Sequence, residues 1–296
     1  MIPRRLTFTL FDLAVFGGAG ALVLWFFHIA GAHANYTWKW NVIGQYLVRM
    51  DAQTGQWVPG MLLGGLFTTL RISCWALIMA LILGLIMALF RTGSNRMLNI
   101  LGTGYVALIR NIPVLIWIFI AYYFIGDRII PVLGLDNLAG LDQGSLGTLV
   151  HVFIGNPAHL PVFVAGTVAL AVYEGAYVTE IIRAGIGSVD SGQWEASWAL
   201  GFSRLQQMRH IILPQALKNV LPPLAGQVIS TIKDSAIVSI ISIQELTFQG
   251  MELMSATFLT FEIWIIVMAL YFLLCFSCSL VVGHIEGSLQ KKQSGR

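Results

Sequence analysis

The chain has 296 residues, 57% of them apolar and only 10% charged, where a soluble domain carries about 25% charged residues. Its 17 basic and 14 acidic residues leave a net +3, too small an excess to argue for a nucleic-acid partner. The three cysteines, Cys74, Cys275 and Cys278, all fall in apolar stretches and read as small core residues rather than a disulfide set or metal site. A soluble fold is excluded, and the composition demands a membrane.

Six apolar stretches are long enough to cross roughly 30 Å of hydrocarbon. They run at about residues 9–30, 62–90, 103–126, 161–183, 222–244 and 261–283. The expected fold is therefore all-α, a polytopic bundle of six spans. The first stretch has a rival reading. Arg4 and Arg5 precede it and Ala32-His33-Ala34 follows it, the outline of a secretory signal. Its apolar run exceeds a signal core and Asp12 interrupts its start, which favours a retained anchor helix. Residues 31–60 carry Tyr36, Trp38, Trp40, Tyr46 and Trp57, an aromatic belt for the headgroup region. The second stretch is overlong and predicts tilt. Arg71 lies within it, facing either a pore entrance or, by snorkelling, the interface. Pro113 predicts a kink or an opened backbone in the third stretch.

The loop at 127–160 holds His151 and His159, which read as solvated histidines because no further ligand set surrounds them. No metal site is expected. In the fourth stretch Glu180 and Arg183 stand three apart on one helix face and read as a structural pair. Between the fourth and fifth stretches lies a long polar loop, about 184–220. Gly185 and Gly187 are expected to weaken the preceding helix. Ser188 or Ser191 is expected to cap a short one, with Trp194 and Trp198 on one face and Gly201 at its end. Ser203 then caps a second helix that Pro214 stops. Pro222 and Pro223 suit the first turn of the fifth span.

Lys233 and Asp234 fall about eleven residues into that span, near mid-bilayer, and Glu174 reaches a similar depth in the fourth. Charges there are costly and normally face a cavity or each other. Two readings stand side by side. Lys233, Asp234 and Ser235 line a translocation path, or Glu174 and Lys233 form an ion pair that holds two spans together. Asp12, His28, Glu262 and His284 sit near span ends and read as interfacial.

Basic residues fix the orientation. Arg4, Arg5, Arg91, Arg96, Arg204, Arg209, Lys218, Lys291, Lys292 and Arg296 fall in one set of loops, against Lys39, Arg49 and Arg128 in the other. By the positive-inside rule the first set, and both termini, are cytoplasmic. The polar loop at 184–220 is then cytoplasmic as well.

That loop reads Glu195-Ala196-Ser197, then Gly201, then Ile211-Ile212-Leu213-Pro214. It resembles the E-A-A, G, I-x-L-P loop of permease subunits of bacterial ATP-binding-cassette importers, with Ser197 where alanine is usual. Gly65-Leu66 through Ser73, Arg110-Asn111-Ile112-Pro113, Ala176-Tyr177 through Arg183 and Lys233-Asp234-Ser235-Ala236 resemble signatures of the polar amino acid branch, the histidine, glutamine and glutamate permeases. The resemblance covers residues 60–285. It implies a five-span permease domain at 61–296 of the type I importer kind, with residues 1–60 an added anchor span and periplasmic segment. It further implies a multi-pass protein of the bacterial inner membrane, coupled through Gln193, Trp194, Glu195, Ala196, Ser197, Trp198, Gly201, Leu213 and Pro214 to a separate ATPase. The other implied partners are an amino-acid-binding protein outside and a second permease subunit, identical or related. Lys233, Asp234, Ser235, Glu174 and Arg71 are the candidate path residues.

The chain has no G-x-x-x-x-G-K of its own, and no H-E-x-x-H or G-x-S-x-G. Neither catalysis nor a cofactor is expected of it. The alternative, an ion-coupled secondary transporter, would use Lys233, Asp234 and Glu174 as coupling groups, but the inverted repeat such folds often carry is not evident.

Overall fold

The structure, a computed structural model, describes residues 10–33, 36–52, 54–132 and 151–294. The chain divides into two compact units, Met1–Asn41 and Val42–Arg296. The first holds helix α1, Leu10–His33, with Asp12 in its first turn. The rings of Tyr36 and Trp38 then meet edge-on at 5.3 Å, and Trp38 stacks on Trp40 at 5.7 Å.

The second unit opens with a small hairpin. Strands β1, Val48–Met50, and β2, Trp57–Pro59, pair antiparallel with Arg49 opposite Val58. Strands of three residues are too short for an alternating pattern to show in the sequence. The longer α-helices that follow are α2 Met61–Thr92, α3 Arg96–Arg110, α4 Val114–Ala121, α5 Leu160–Gly187, α6 Ser191–Ala199, α7 Leu213–Asp234, α8 Leu246–Thr257 and α9 Thr260–Ser294.

Among the described residues four helices are long and apolar enough to cross a bilayer, and a bent pair raises the number to five. The all-α polytopic bundle is as expected, with four to five spans evident among the described residues rather than a clear six. The third expected span is not one helix. Asn95 starts α3 by accepting from the Met97 and Leu98 backbone N–H groups, and the chain then breaks at Asn111–Pro113. There α3 and α4 meet at 103°, because a proline disfavours helical backbone at the residue before it. Helix α1 itself runs 24 residues, Leu10–His33, within the length a span needs.

Helices α2 and α5 form the most extensive pairing. Small residues let them approach: Ala80 and Ala88 of α2 share a buried cluster with Val178, Ile182 and Ile186 of α5. A Cβ on Gly84 would lie 2.4 Å from Val178. On its other side α5 packs on α7, where a Cβ on Gly185 would lie 2.0 Å from Val220. Gly185 therefore does not weaken the helix end. The helix runs on to Gly187, and the glycine makes room for its neighbour.

The prolines also behave otherwise than expected. Pro214 does not stop a helix. It occupies the first turn of α7, entered through Arg204–Gln206 and a wider π-type stretch, Gln207–Ile212. A helix start needs no N–H from that residue. Pro222 and Pro223 lie inside α7 rather than at its start, a position tolerated where neighbouring helices support the chain. The helix then tightens into seven 3₁₀ residues, Ser235–Ile241, ended by Ser242 in the left-handed region at φ 62°. Glu262 is fully buried rather than interfacial.

The glycine contacts make a stability test. Gly185→Val is expected to lower the thermal unfolding midpoint of the detergent-solubilised protein, since overpacking costs typically 1–3 kcal/mol, roughly. Gly187→Ala meets nothing within 4 Å and is expected to leave the midpoint unchanged or slightly raised. Equal stability of Gly185→Val and the parent would contradict the packing.

Candidate functional site

Two features stand out, a polar loop and a polar ribbon that runs from it along α5. In the loop, neither serine caps α6. Asp190 does, accepting from the Gly192 N–H at 2.6 Å. The helix ends at Leu200, and Gly201 turns the chain at φ 79°, a conformation that glycine adopts at no steric cost. Ser203 and Gln206 then form a reciprocal capping box.

The two tryptophans divide their work. Trp194 packs against the buried cluster shared by α2, α5 and α7. Trp198 is 77% exposed, as are Leu200 and Leu205. Ser197 is buried and donates its hydroxyl to the Trp194 carbonyl at 2.9 Å, so the position admits only a small residue. Gln193, Glu195 and Ala196 are exposed. Trp194, Glu195, Trp198, Phe202, Arg204 and Gln207 line an open groove of 760 Å³. Leu213 packs on the same cluster as Trp194, while Pro214 is exposed. Gln215 of α7 donates to Gln193 at 3.2 Å, and Asn219 donates to Ser188 at 2.8 Å. The loop is thereby tied to α7 as well as to α5.

The ribbon begins at Glu174. This carboxylate is fully buried and accepts from the Gln227 side chain of α7. Asp234 is its electrostatic neighbour. Gln227, Thr231 and Asp234 recur at i, i+4 and i+7 and so share the face of α7 turned to α5. Lys233 points elsewhere and is exposed, with Cys275 of α9 as its neighbour. The expected Glu174–Lys233 pair does not form among the described residues, because Lys233 lies about 100° around the helix from Asp234. Ser235 is buried, its hydroxyl spent on the Ile232 carbonyl at 2.7 Å.

The ribbon continues through Tyr173, next to Glu174, and Tyr177, one turn nearer α6, whose hydroxyls meet at 3.1 Å. The Arg110 guanidinium lies over the Tyr177 ring at 5.0 Å. It ends in a hub. Glu180 accepts from Arg91 through Oε1 and from Arg183 through Oε2 at 2.8 Å, with Arg110 4.0 Å away. The sequence reading had Glu180 and Arg183 alone. Arg91 and Arg110 come from helices whose distance from Glu180 no local spacing reveals.

Arg71 lies toward the opposite end, where its Nε donates to the Val152 carbonyl at 2.9 Å and Trp75 donates to Phe153 at 3.0 Å. It borders a cavity of 70 Å³ with Asn156, His159, Ser242 and Gln244. Glu245, passed over in the sequence, is fully buried. It caps α8 through the Thr247 and Phe248 N–H groups and accepts from Tyr271 at 2.8 Å. An acid just before an apolar helix is the signal that would have found it. Among the described residues no three His, Cys, Asp or Glu converge to hold a metal ion.

Residues 80–291 match the family of binding-protein-dependent transport system inner membrane components. The chain belongs to that family. It is a non-catalytic permease subunit of an ABC importer, a multi-pass inner-membrane protein, and neither an enzyme nor an ion-coupled transporter. The probable glutamine ABC transporter permease GlnM of Bacillus subtilis is 38% identical, over 78% of this chain and 94% of that protein. The nopaline transport system permease NocM of Agrobacterium fabrum is 34% identical, over 79% and 90%. A crystal structure of an amino acid ABC transporter with histidines superposes with a TM-score of 0.62 at 33% identity, covering 77% of this chain and 94% of that one. The methionine ABC transporter MetNI, in an inward-facing conformation, shares the fold with a TM-score of 0.51 at 19% identity, over 76% and 96%.

The hub makes a prediction. Glu180→Gln leaves three guanidiniums without their shared carboxylate and is expected to cost about 1–3 kcal/mol. That is below the range for a fully buried pair, because Arg110 and Arg183 are nearly half exposed. A lowered thermal midpoint, partly restored in Glu180→Asp, is the expected result. An unchanged midpoint would show that the hub is not structural.

Proposed function

We infer that this permease moves polar L-amino acids inward across the membrane. Its α6 loop faces the cytoplasm and seats in an ATPase subunit. The observation that supports the path most directly is Glu174, a buried carboxylate in a span, beside Asp234 and bonded by a neutral amide rather than by a cation. Two adjacent carboxylates in an apolar span are costly when nothing positive lies between them. The ammonium group of an amino acid supplies such a charge. Relatives named for glutamine and nopaline, and the solved amino acid transporter, support the substrate class.

The loop's exposed surface supports the coupling role. Trp198, Leu200 and Leu205 stand out from the protein beside Glu195, and large exposed apolar side chains beside a charge suit an interface anchor. The family is binding-protein-dependent, so a substrate-binding protein delivers the cargo from outside. A second permease subunit completes the path on the side where Lys233 and Asp234 are open. Both termini lie in the cytoplasm, by the distribution of Arg and Lys, and residues 1–60 serve as an added anchor.

Uptake of radiolabelled L-glutamine by cells carrying the complete transporter tests the path. Asp234→Ala is expected to abolish uptake, and Asp234→Asn to retain part of it through hydrogen bonding. Full uptake by Asp234→Ala would remove these residues from the path. For the coupling loop, Glu195→Lys or Trp198→Ala is expected to reduce the amount of ATPase that copurifies at least fivefold while the chain still inserts. Normal ATPase recovery in both variants would contradict the docking role.

A further inference from the structure

The hub at Glu180 carries more positive charge than it uses. Its one carboxylate has two oxygens, and both are engaged, Oε1 by Arg91 and Oε2 by Arg183. Arg110 stands 4.0 Å off, beyond hydrogen-bond reach, and its side chain is 44% exposed. Among the described residues it donates to no acceptor; the Tyr177 ring beneath it holds the guanidinium in place instead. Arg183 uses its Nε and leaves its terminal nitrogens open, with its side chain 43% exposed. Two guanidinium groups thus approach the same carboxylate, Arg110 at Oε1 and Arg183 at Oε2, with unspent donors. A planar guanidinium of this kind matches the two oxygens of a carboxylate or phosphate.

The position of the pair matters as much as its charge. Arg110 is the last residue of α3, at the 103° break before α4, so the elbow of the broken span carries it to α5. Tyr173 and Tyr177 connect this point with the Glu174–Asp234 pair. From Glu174 to Glu180 is six residues, about 9 Å along α5. The ammonium and carboxylate groups of an amino acid share one carbon and cannot bridge that distance. The acidic pair and the basic pair therefore cannot hold the two α-groups of one amino acid at the same moment.

We propose that Arg110 and Arg183 form an exit station that binds the α-carboxylate of the amino acid after its ammonium group leaves Glu174 and Asp234. This rests on the amino acid reading given above. The opposing source of the same oxyanion chemistry is the headgroup phosphate of an anionic lipid. The continuity of the ribbon favours the cargo, since the tyrosines lead from the arginines to the acidic pair.

The test uses the full chain in nanodiscs and two tritiated probes, L-glutamine and 4-aminobutanamide, the same molecule without its carboxylate. Equilibrium dialysis is run in phosphatidylcholine and again with phosphatidylglycerol added. The parent protein is expected to prefer glutamine at least tenfold in both lipids. Arg110→Gln combined with Arg183→Gln is expected to bring the preference under threefold by weakening glutamine alone. Arg110→Lys with Arg183 intact is expected to keep part of the preference, and it guards against a variant that merely misfolds. An undiminished preference in the double variant overturns the station. So does phosphatidylglycerol that copurifies with the parent and not with the double variant while glutamine preference is unaffected, which assigns the arginines to lipid. If neither probe binds the parent protein, the amino acid path falls and the station falls with it.

Discussion

Everything else in the molecule depends on the close approach of α2 and α5. Inside a bilayer the lipid tails are as apolar as leucine, so burial alone does not drive helices together. Packing does, and it needs small residues at the contact. Ala80, Gly84 and Ala88 supply them on α2, against Val178 and Ile182 of α5. With α5 held on that side and α7 drawn in at Gly185, its remaining face is free to carry groups that lipid would not accept. Tyr173, Tyr177 and Glu180 recur there at i, i+4 and i+7.

The same packing explains how the loop and the mid-span acids belong to one device. Trp194 fixes α6 to the cluster that joins α2, α5 and α7. Gln215 and Asn219 tie the start of α7 to the loop and to the end of α5. From there α7 runs as one helix to Asp234. A displacement of α6 therefore bears on the helix that carries Gln227, Thr231 and Asp234. Beyond Asp234 the chain changes to seven 3₁₀ residues. Such runs are uncommon beyond three or four residues and mark a stretch under strain. It lies beside Glu174's partners and leads to Ser242 at the Arg71 cavity, so both ends of the path border the same irregular segment.

Much of this was legible from residue type and spacing. The charge-poor composition, the apolar runs of α2, α5 and α9, and the turn at Gly201 follow from elementary rules. So does the depth shared by Glu174 and Asp234. What the sequence concealed was direction around a helix and contact between distant segments. Counting residues gives the depth of Lys233 but not the side it faces, and the neutral amide of Gln227 lacks the charge that makes a buried group conspicuous. The face formed by Gln227, Thr231 and Asp234 was present as an i, i+4, i+7 pattern, hidden behind the adjacent lysine. The prolines misled because their cost is local while their tolerance is tertiary. At Pro214 a π-type stretch precedes the ring, and at Pro222 and Pro223 the helix is braced by neighbours. The break at Asn111–Pro113 showed as a proline, but an angle of 103° depends on where Arg110 and α4 find their contacts.

The central claim is that one face of α5 is a water-accessible ribbon while the opposite face is sealed against α2. Single cysteines placed along residues 171–182, in a chain whose three native cysteines are replaced, test it by labelling with a membrane-impermeant thiol reagent. Labelling at 173, 177 and 180, with protection at 171, 175 and 178, is the predicted pattern, repeating about every 3.6 residues. Labelling at 175 and 178, or protection at every position, would contradict it.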